Sequence, residues 1–398
     1  MVKTEAYLAM SYRIESAASG NQAVAFHGEY PNLMDMPEAS AKAVVSHPEV
    51  RELVMAYGWN STAYQILNPG FEYWFASEVP AVVAYMRRQN VLLVAGAPVC
   101  PTEALNAVMT RFEQFASAQG YRVCYVCAAE RLRETVNGLD GHSAIVIGAQ
   151  PVWNPQKWHQ LAATRRAIRQ QIARARNKDV TIETIAEVTE RAAELEQILS
   201  EWLDARGLPP LHFLVEPRIL EGGAGDRLIM VARQEGKAVA FLVGSPVSGR
   251  NGFLIEQIAR AVRAPNGTSE LLIDAAMRRL ASEGRVYATL GLVALSTRAS
   301  EVSVINPWWL RLMMMVARAH ANRFYNFRGL ERFRMKLAPS RWETIFAVAN
   351  EPRFSMRTLY AIGEAFSGIS PWRALGLGVI RAIGQETYRL RRRIAMAG

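Results

Sequence analysis

Apolar positions along the chain fall into two runs that share one order of elements. In the first run, Val91–Ala95 is an unbroken apolar stretch of strand length, followed by the Pro- and Gly-punctuated turn Gly96–Pro101. Leu105, Val108, Met109, Phe112 and Phe115 then recur at helical spacing, with Thr102 placed to cap the helix and Gly120 to stop it. Tyr121–Ala128 reads as the next strand, followed by a short helix near Glu130 and a strand over Ser143–Ile147. The second run repeats this order. It has a strand over Gly252–Ile258, a turn at Arg263–Gly267, a helix over Thr268–Ser282, a stop at Gly284 and a strand over Val286–Val293. Leu271, Leu272, Ala275 and Leu280 mark the inner face of that helix. The repeated order predicts an α/β protein with two duplicated domains, about 1–153 and 181–350, each on its own sheet.

The segment between the runs, 154–180, has a different character. Asn154-Pro155 is a cap followed by a proline at the first helical position, and Lys157–Lys178 holds seven Lys/Arg and no Asp or Glu. Arg165, Arg166, Arg169 and Arg176 share one quadrant of a helix, beside an apolar stripe of Trp158, Leu161, Ile168 and Ile172. The spacing predicts one continuous basic helix of roughly 36 Å. A second basic element is the tail, 351–398, where Arg353–Arg393 contains eight Arg against two Glu. From Ser370-Pro371 onward, Trp372, Leu375, Val379, Ile380, Ile383, Leu390 and Ile394 fall on one side, with the arginines mostly on the other. That pattern predicts an interfacial helix on an anionic membrane.

Composition sharpens this picture. The chain has 46 Lys+Arg against 36 Asp+Glu, a net +10, and most of the excess sits in the two basic elements. Anionic partners follow: nucleic acid or acidic lipid headgroups. Cys124 and Cys127 stand i and i+3 on a predicted strand and face opposite sides, so they are read with Cys100 as buried thiols rather than metal ligands. No metal or cofactor is expected. The first residues carry Lys3, Glu5 and Arg13 rather than a long apolar core, and no apolar stretch has transmembrane length, so a cytoplasmic protein is expected.

The turn Arg263-Ala264-Pro265-Asn266-Gly267-Thr268 joins a strand to a helix N-terminus, a place where free N–H groups and the helix dipole attract anions. It loosely resembles the pyrophosphate loop of the GNAT acyltransferases. Longer strings are more specific. Gly249–Glu256, Ala264–Asp274, Thr289–Ser296 and Phe324–Leu337, followed by Pro339 and Trp342-Glu343, resemble in order the C-terminal catalytic domain of the lysylphosphatidylglycerol synthases, the multiple peptide resistance factor family. Three positions depart from the family pattern: Ala97 replaces an Asp, Thr289 an Asn and Arg334 a Lys.

The resemblance implies tandem GNAT-like acyltransferase domains joined by a basic helix, without the transmembrane flippase found in many members. It implies transfer of an aminoacyl group from aminoacyl-tRNA to a polar lipid such as phosphatidylglycerol, at the inner face of the membrane. The partners are then aminoacyl-tRNA, held by Arg165, Arg166, Arg169 and Arg176, and an anionic membrane lipid. An aminoacyl ester is already activated, so the enzyme must orient a hydroxyl, accept its proton and stabilise the oxyanion. Glu256, on the strand before the anion turn, is the candidate proton acceptor or amine binder, with Lys336 and Tyr325 as further catalytic candidates. Gln257, Arg260, Arg263, Asn266, Gly267, Thr268, Gly291, Arg328, Arg334 and Trp342 are the candidate substrate-binding residues. An acyl-CoA- or acyl-carrier-dependent N-acyltransferase, or a non-catalytic tRNA- or membrane-binding scaffold, would carry much of the same pattern. An open, polar cleft beside Glu256 separates the enzyme from the scaffold.

Overall fold

The structure, a computed structural model, describes residues 48–137, 140–186, 192–204, 213–214, 225–296, 298, 306–320 and 327–367. All of them lie in the compact unit that begins at Val44. The predicted membrane helix of the tail, from Ser370 on, falls outside the described residues. Along the chain come α1 (Pro48–Tyr57), β1 (Glu72–Phe75), β2 (Val82–Arg88), β3 (Val91–Ala95), α2 (Leu105–Ala118), β4 (Arg122–Ala128), α3 (Glu130–Val136) and β5 (Ser143–Trp153). Two helices, α4 (Trp158–Thr164) and α5 (Arg166–Arg176), lead to β6 (Thr181–Ile185), α6 (Ala192–Asp204), β7 (Leu228–Gln234), β8 (Lys237–Val247) and β9 (Gly252–Arg260). Then follow α7 (Thr268–Ser282), β10 (Tyr287–Thr289), β11 (Val293–Ala294), α8 (Trp308–His320), α9 (Phe327–Lys336), β12 (Arg341–Ala349) and α10 (Met356–Ser367).

The two runs read from the sequence are two copies of one unit. In the first, β2 and β3 are antiparallel, and α2 crosses over to place β4 parallel to β3. In the second, β8 and β9 are antiparallel, and α7 crosses over to place β10 parallel to β9. Apolar residues cover both faces. Phe112 and Met109 of α2 pack with Leu132 of α3 on one side of the first half, and Leu310 of α8 packs with Ile362 of α10 on the other. Leu271 and Leu272 of α7 pack with Ile168 and Ile172 of α5 on one side of the second half, while Leu195 and Ile198 of α6 take the other.

The final strand of each unit corrects the expectation of two separate sheets. β5 follows β4 in sequence but pairs with β10, and β12 follows β10 but pairs with β4. The two exchanged strands also pair with each other, from Arg341↔Val152 to Ala349↔Ser143. A single sheet results, in the order β1-β2-β3-β4-β12-β5-β10-β9-β8-β7-β6. The apolar pattern marks Ser143–Ile147 as a strand and β5 extends it to Trp153, but the partners of β5 and β12 are set by which edge offers unpaired N–H and C=O groups.

The basic helix is likewise not continuous. Arg165 is extended (φ −90°, ψ 101°) and separates α4 from α5. Each piece is fastened separately to α7. Trp158 Nε1 donates to Asp274 Oδ1 at 2.9 Å, and the Gln171 carbonyl lies so close to Gly267 that any Cβ there would collide with it.

Strand exchange makes a direct prediction. A 44–153 fragment lacks β12 and β10, so β5 has no sheet neighbour. It should be unfolded or insoluble, while the whole chain loses circular dichroism and tryptophan fluorescence in one coincident urea transition. Phe346→Ala, at a fully buried position on β12, should lower the stability measured from that transition by about 3–5 kcal/mol. A soluble, cooperatively folding fragment would show that β5 can pair without the exchange.

Candidate active site

β9 and β10 pair over Gly252↔Tyr287, Phe253↔Ala288 and Leu254↔Thr289, and then part. A Cβ at Gly252 would collide with the Tyr287 carbonyl, so only glycine lets the strands start this close. Beyond Leu254, β9 continues to Arg260 against β8 alone. Its register with β8 jumps from Gly244↔Ile255 to Val243↔Gln257, which leaves Glu256 as the extra residue of a β-bulge. The bulge breaks the strand alternation. Glu256 and Gln257 therefore do not divide cleanly between two faces, and both are half-buried.

Glu256 Oε1 accepts from Arg227 Nε at 3.4 Å, and these two side chains are 8% and 4% exposed. Arg227 Nη2 also donates to Asn68 Oδ1 at 3.2 Å, and its guanidinium lies 5.2 Å from the Tyr64 ring centre. Tyr64 donates to Asp226 Oδ2 at 3.3 Å, and Asp226 pairs with Arg51 at 2.5 Å. Burial, together with the charge of Asp226, pushes the Tyr64 phenol up to about 12 against the opposing pull of Arg227. Gln65 Nε2 donates to Ser245 Oγ at 3.0 Å. The 60–68 segment of the first half thus meets strands of the second half around Glu256. Gln65 Oε1, Asn68 Nδ2 and Gln257 Oε1 are buried with no protein partner, as are Asn60 Nδ2 and Thr62 Oγ1. Buried polar groups are normally satisfied, so the orphaned amides of Asn68, which bonds Arg227, and of Gln257, next to Glu256 on the bulge, mark a place for polar ligand atoms, whereas Asn60 and Thr62 lie against Gly96.

A second network lies where the exchanged strands cross. Glu343 on β12 accepts from Arg250 at 2.6 and 2.8 Å, from Arg341 at 2.7 Å and from Gln150 at 3.1 Å. Gln150 also donates to Tyr287 Oη and accepts from Ser61 Oγ, and the Arg250 guanidinium lies 3.8 Å from the Tyr287 ring centre. Burial alone would raise the Glu343 carboxyl, but the hydrogen bonds and charge of Arg250, with Gln150 and Arg341, hold it down at about 2.

On the α7 side, a pocket of about 410 Å³ is lined by Gln171, Arg174, Arg260, Asn266, Gly267, Ser269, Glu270, Phe333 and Lys336. Gly267, at φ +94°, caps α7. Three cations from α5, β9 and α9 therefore surround the N-terminus of a long helix, with Glu270 as the one carboxylate in the lining.

A model of the family described as "Phosphatidylglycerol lysyltransferase, C-terminal" matches residues 51–349. The chain belongs to that family. The phosphatidylglycerol lysyltransferase of Staphylococcus epidermidis is 21% identical over 300 residues, covering 74% of this chain and 35% of that protein. The lysylphosphatidylglycerol biosynthesis bifunctional protein LysX of Mycolicibacterium vanbaalenii is 23% identical over 330 residues, covering 80% of this chain and 29% of its own. The chain thus spans about a third of the length of these curated relatives. The crystal structure of the C-terminal domain of a putative lysylphosphatidylglycerol synthetase from Agrobacterium fabrum superposes with a TM-score of 0.67 at 20% identity, covering 81% of this chain and 96% of that one. L-PGS from Bacillus licheniformis gives 0.67 at 18% identity, covering 80% and 95%. These likenesses establish a shared fold.

In this lysyltransferase-family fold, the residues singled out from the sequence separate into groups. Arg260, Asn266, Gly267 and Lys336 come together in the pocket, and Glu256 and Gln257 sit at the bulge. Thr268 is buried with its hydroxyl bonded to the Pro265 carbonyl at 2.7 Å, so it closes the turn. Two expectations need correction. Arg263 turns away from the pocket to the Ala238 carbonyl and towards Glu201. Arg334 is buried and donates to the carbonyls of Leu290 and Gly291, which fastens α9 to the turn after β10. Gly291 (φ +74°) belongs to that fastening, and its N–H donates to Thr289 Oγ1. Trp342 is half-buried on β12 opposite Pro151, one residue from Glu343. Tyr325 lies outside the described residues, as does the side chain of Arg328. Arg165, Arg166, Arg169 and Arg176 are all exposed, but the break takes Arg165 off the shared face and Arg176 stands 3.6 Å from Asp274. Sequence reading missed Arg227, Gln65, Asn68 and Arg174. The closely spaced amides Asn60, Gln65 and Asn68 were the available signal.

The Glu343 network sets an acid-stability expectation. Its folded carboxyl lies near 2 against an ordinary 4.5, so its contribution is complete above about pH 4.5 and is lost as pH falls towards 2. At neutral pH, Glu343→Gln should cost on the order of 3 kcal/mol by this linkage. The gap between variant and wild type should close as pH drops from 5 to 2. Urea midpoints measured across that range check it, and a gap independent of pH would remove the linkage.

Proposed function

We propose that this chain transfers an aminoacyl group from an aminoacyl-tRNA to a hydroxyl of an anionic polar lipid of the phosphatidylglycerol class. One observation carries the reading: the Glu256 carboxylate, on a bulge where β9 has left β10, stands against buried Arg227 beside the orphaned amides of Gln65, Asn68 and Gln257. The site offers acceptors at Gln65 and Gln257 and a donor at Asn68, which suits a hydroxylated headgroup or an α-amine. Relatives named phosphatidylglycerol lysyltransferases support the reaction class.

In this mechanism Glu256 takes the proton of the lipid hydroxyl as its oxygen attacks the ester carbonyl carbon. The bond to the terminal ribose oxygen then breaks, and Glu256 returns the proton to that oxygen. The pocket at the α7 N-terminus takes a phosphodiester of the donor's 3′ end through Arg174, Arg260 and Lys336. The exposed arginines of α5, with Arg165, hold phosphates farther along the tRNA. The division into a first domain (1–153), a basic linker (154–180), a catalytic domain (181–350) and a basic tail (351–398), working at the inner membrane surface, is part of the same proposal.

Purified chain given charged tRNA and phosphatidylglycerol vesicles should form an aminoacyl lipid detectable by mass spectrometry. Glu256→Gln should lower transfer about 100-fold or more while tRNA binding persists. Unreduced transfer would move the proton acceptor elsewhere. Replacing Arg165, Arg166, Arg169 and Arg176 together with Glu should abolish tRNA binding in a filter assay and remove its steep salt dependence. Unchanged affinity would make α4 and α5 an interdomain strut.

A further inference from the structure

Among its described side chains, Trp308–Met315, α8 is seated on one side only. Leu310 is buried, and Trp309 and Met314 pack into the core that includes Ile147, Leu292 and Ile345. Just ahead of the helix, the Asn306 side chain accepts from Val146 N at 2.8 Å and donates to Val146 O at 2.9 Å, which fixes how the helix meets β5. On the other side, Trp308 is 76% exposed, Leu312 49% and Met315 61%. Their i, i+4, i+7 spacing puts all three on one stripe, with Met313 also exposed beside it. Single exposed apolar residues are ordinary, but a Trp-led stripe along one helix is not.

Charge decides what fits this stripe. Trp308–His320 contains Arg311 and Arg318 and no Asp or Glu, and Arg311 is exposed. The same chemistry recurs at α10, which shares the core under α8. There Met356, 56% exposed, stands between exposed Arg353 and Arg357. A protein partner matched to these residues would need its own acidic rim around an apolar groove. A bilayer supplies an apolar layer beneath anionic headgroups over the whole face.

We infer that α8 is a bilayer-docking helix, which inserts Trp308, Leu312 and Met315 among the acyl chains of an anionic membrane while Arg311 meets the headgroups. The inference rests on the lipid-acceptor reading for its purpose, but its test does not. The position differs from the tail, which the sequence alone marks for membrane contact.

Vesicle flotation tests it, with phosphatidylglycerol–phosphatidylcholine vesicles and phosphatidylcholine vesicles as probes. Four chains are compared: wild type, the triple variant Trp308→Ser/Leu312→Ser/Met315→Ser, the single variant Arg311→Glu, and a chain ending at Ile369. The triple variant should keep the wild-type urea midpoint and lose at least tenfold in affinity for the anionic vesicles. Arg311→Glu should weaken binding to anionic vesicles and leave the weak binding to phosphatidylcholine unchanged. The inference is overturned if the triple variant floats like wild type, if wild type does not bind, or if truncation alone abolishes binding. It is also overturned if wild type is a dimer that the triple variant makes monomeric without loss of vesicle binding, because a second copy then covers the stripe. Transfer to a soluble short-chain phosphatidylglycerol should be the same in wild type and triple variant. If neither shows transfer and the flotation difference stands, the catalytic reading fails and the docking helix survives.

Discussion

The antiparallel pairing of β5 with β12 is the contact on which the rest of the molecule depends. Each strand ends one copy of the repeated unit and completes the sheet of the other, so neither copy is whole without its counterpart. The pairing places Ala144–Ala149 and Thr344–Ala349 at the centre of the sheet, between β4 and β10. It also explains why the polar network of Glu343, Gln150, Tyr287 and Arg250 is buried, since those residues sit where the exchanged strands cross. A charge there is tolerable because Glu343 has three cationic or amide donors around it.

The same junction positions the candidate site. β10 pairs with β5 on one edge and with β9 on the other, and β9 leaves it after Leu254. The freed length of β9 carries the bulge at Glu256, and the first half's 60–68 segment closes over it through Gln65–Ser245 and Asn68–Arg227. The candidate site is therefore built by both halves. The carboxylate comes from the second, and much of the amide surface from the first.

Cationic groups serve different physical ends in different places. Arg227, Arg250 and Arg334 are buried or nearly so, and they hold carboxylates or carbonyls inside the fold. Arg174, Arg260 and Lys336 line an open pocket at a helix N-terminus. Arg165, Arg166 and Arg169 face solvent, as does Arg311 beside an apolar stripe. The net charge of +10 hides this division, because a buried guanidinium bonded to a carboxylate adds little to the field that an incoming phosphate feels.

Periods of 2 and 3.6 residues are local properties, so the elements of the two repeated runs and their order are legible in the chain. The helix Thr268–Ser282, with its Gly267 cap, and the strand Val91–Ala95 stand where the pattern placed them. The ordered motifs also identified the family and directed attention to Glu256 and to the turn around Asn266. Tertiary structure alone decided the partners. The exchange of β5 and β12 depends on edges more than a hundred residues apart in sequence, and the Gln65–Ser245 bond joins residues separated by 180. The bulge at Glu256 is defined by register with β8, the break at Arg165 lies between two helices that are each fastened to α7, and Arg334 turns inward to the Leu290 and Gly291 carbonyls. Side-chain type tells what a residue can bond, but the unpaired group it meets is supplied by distant chain, and no local pattern records it.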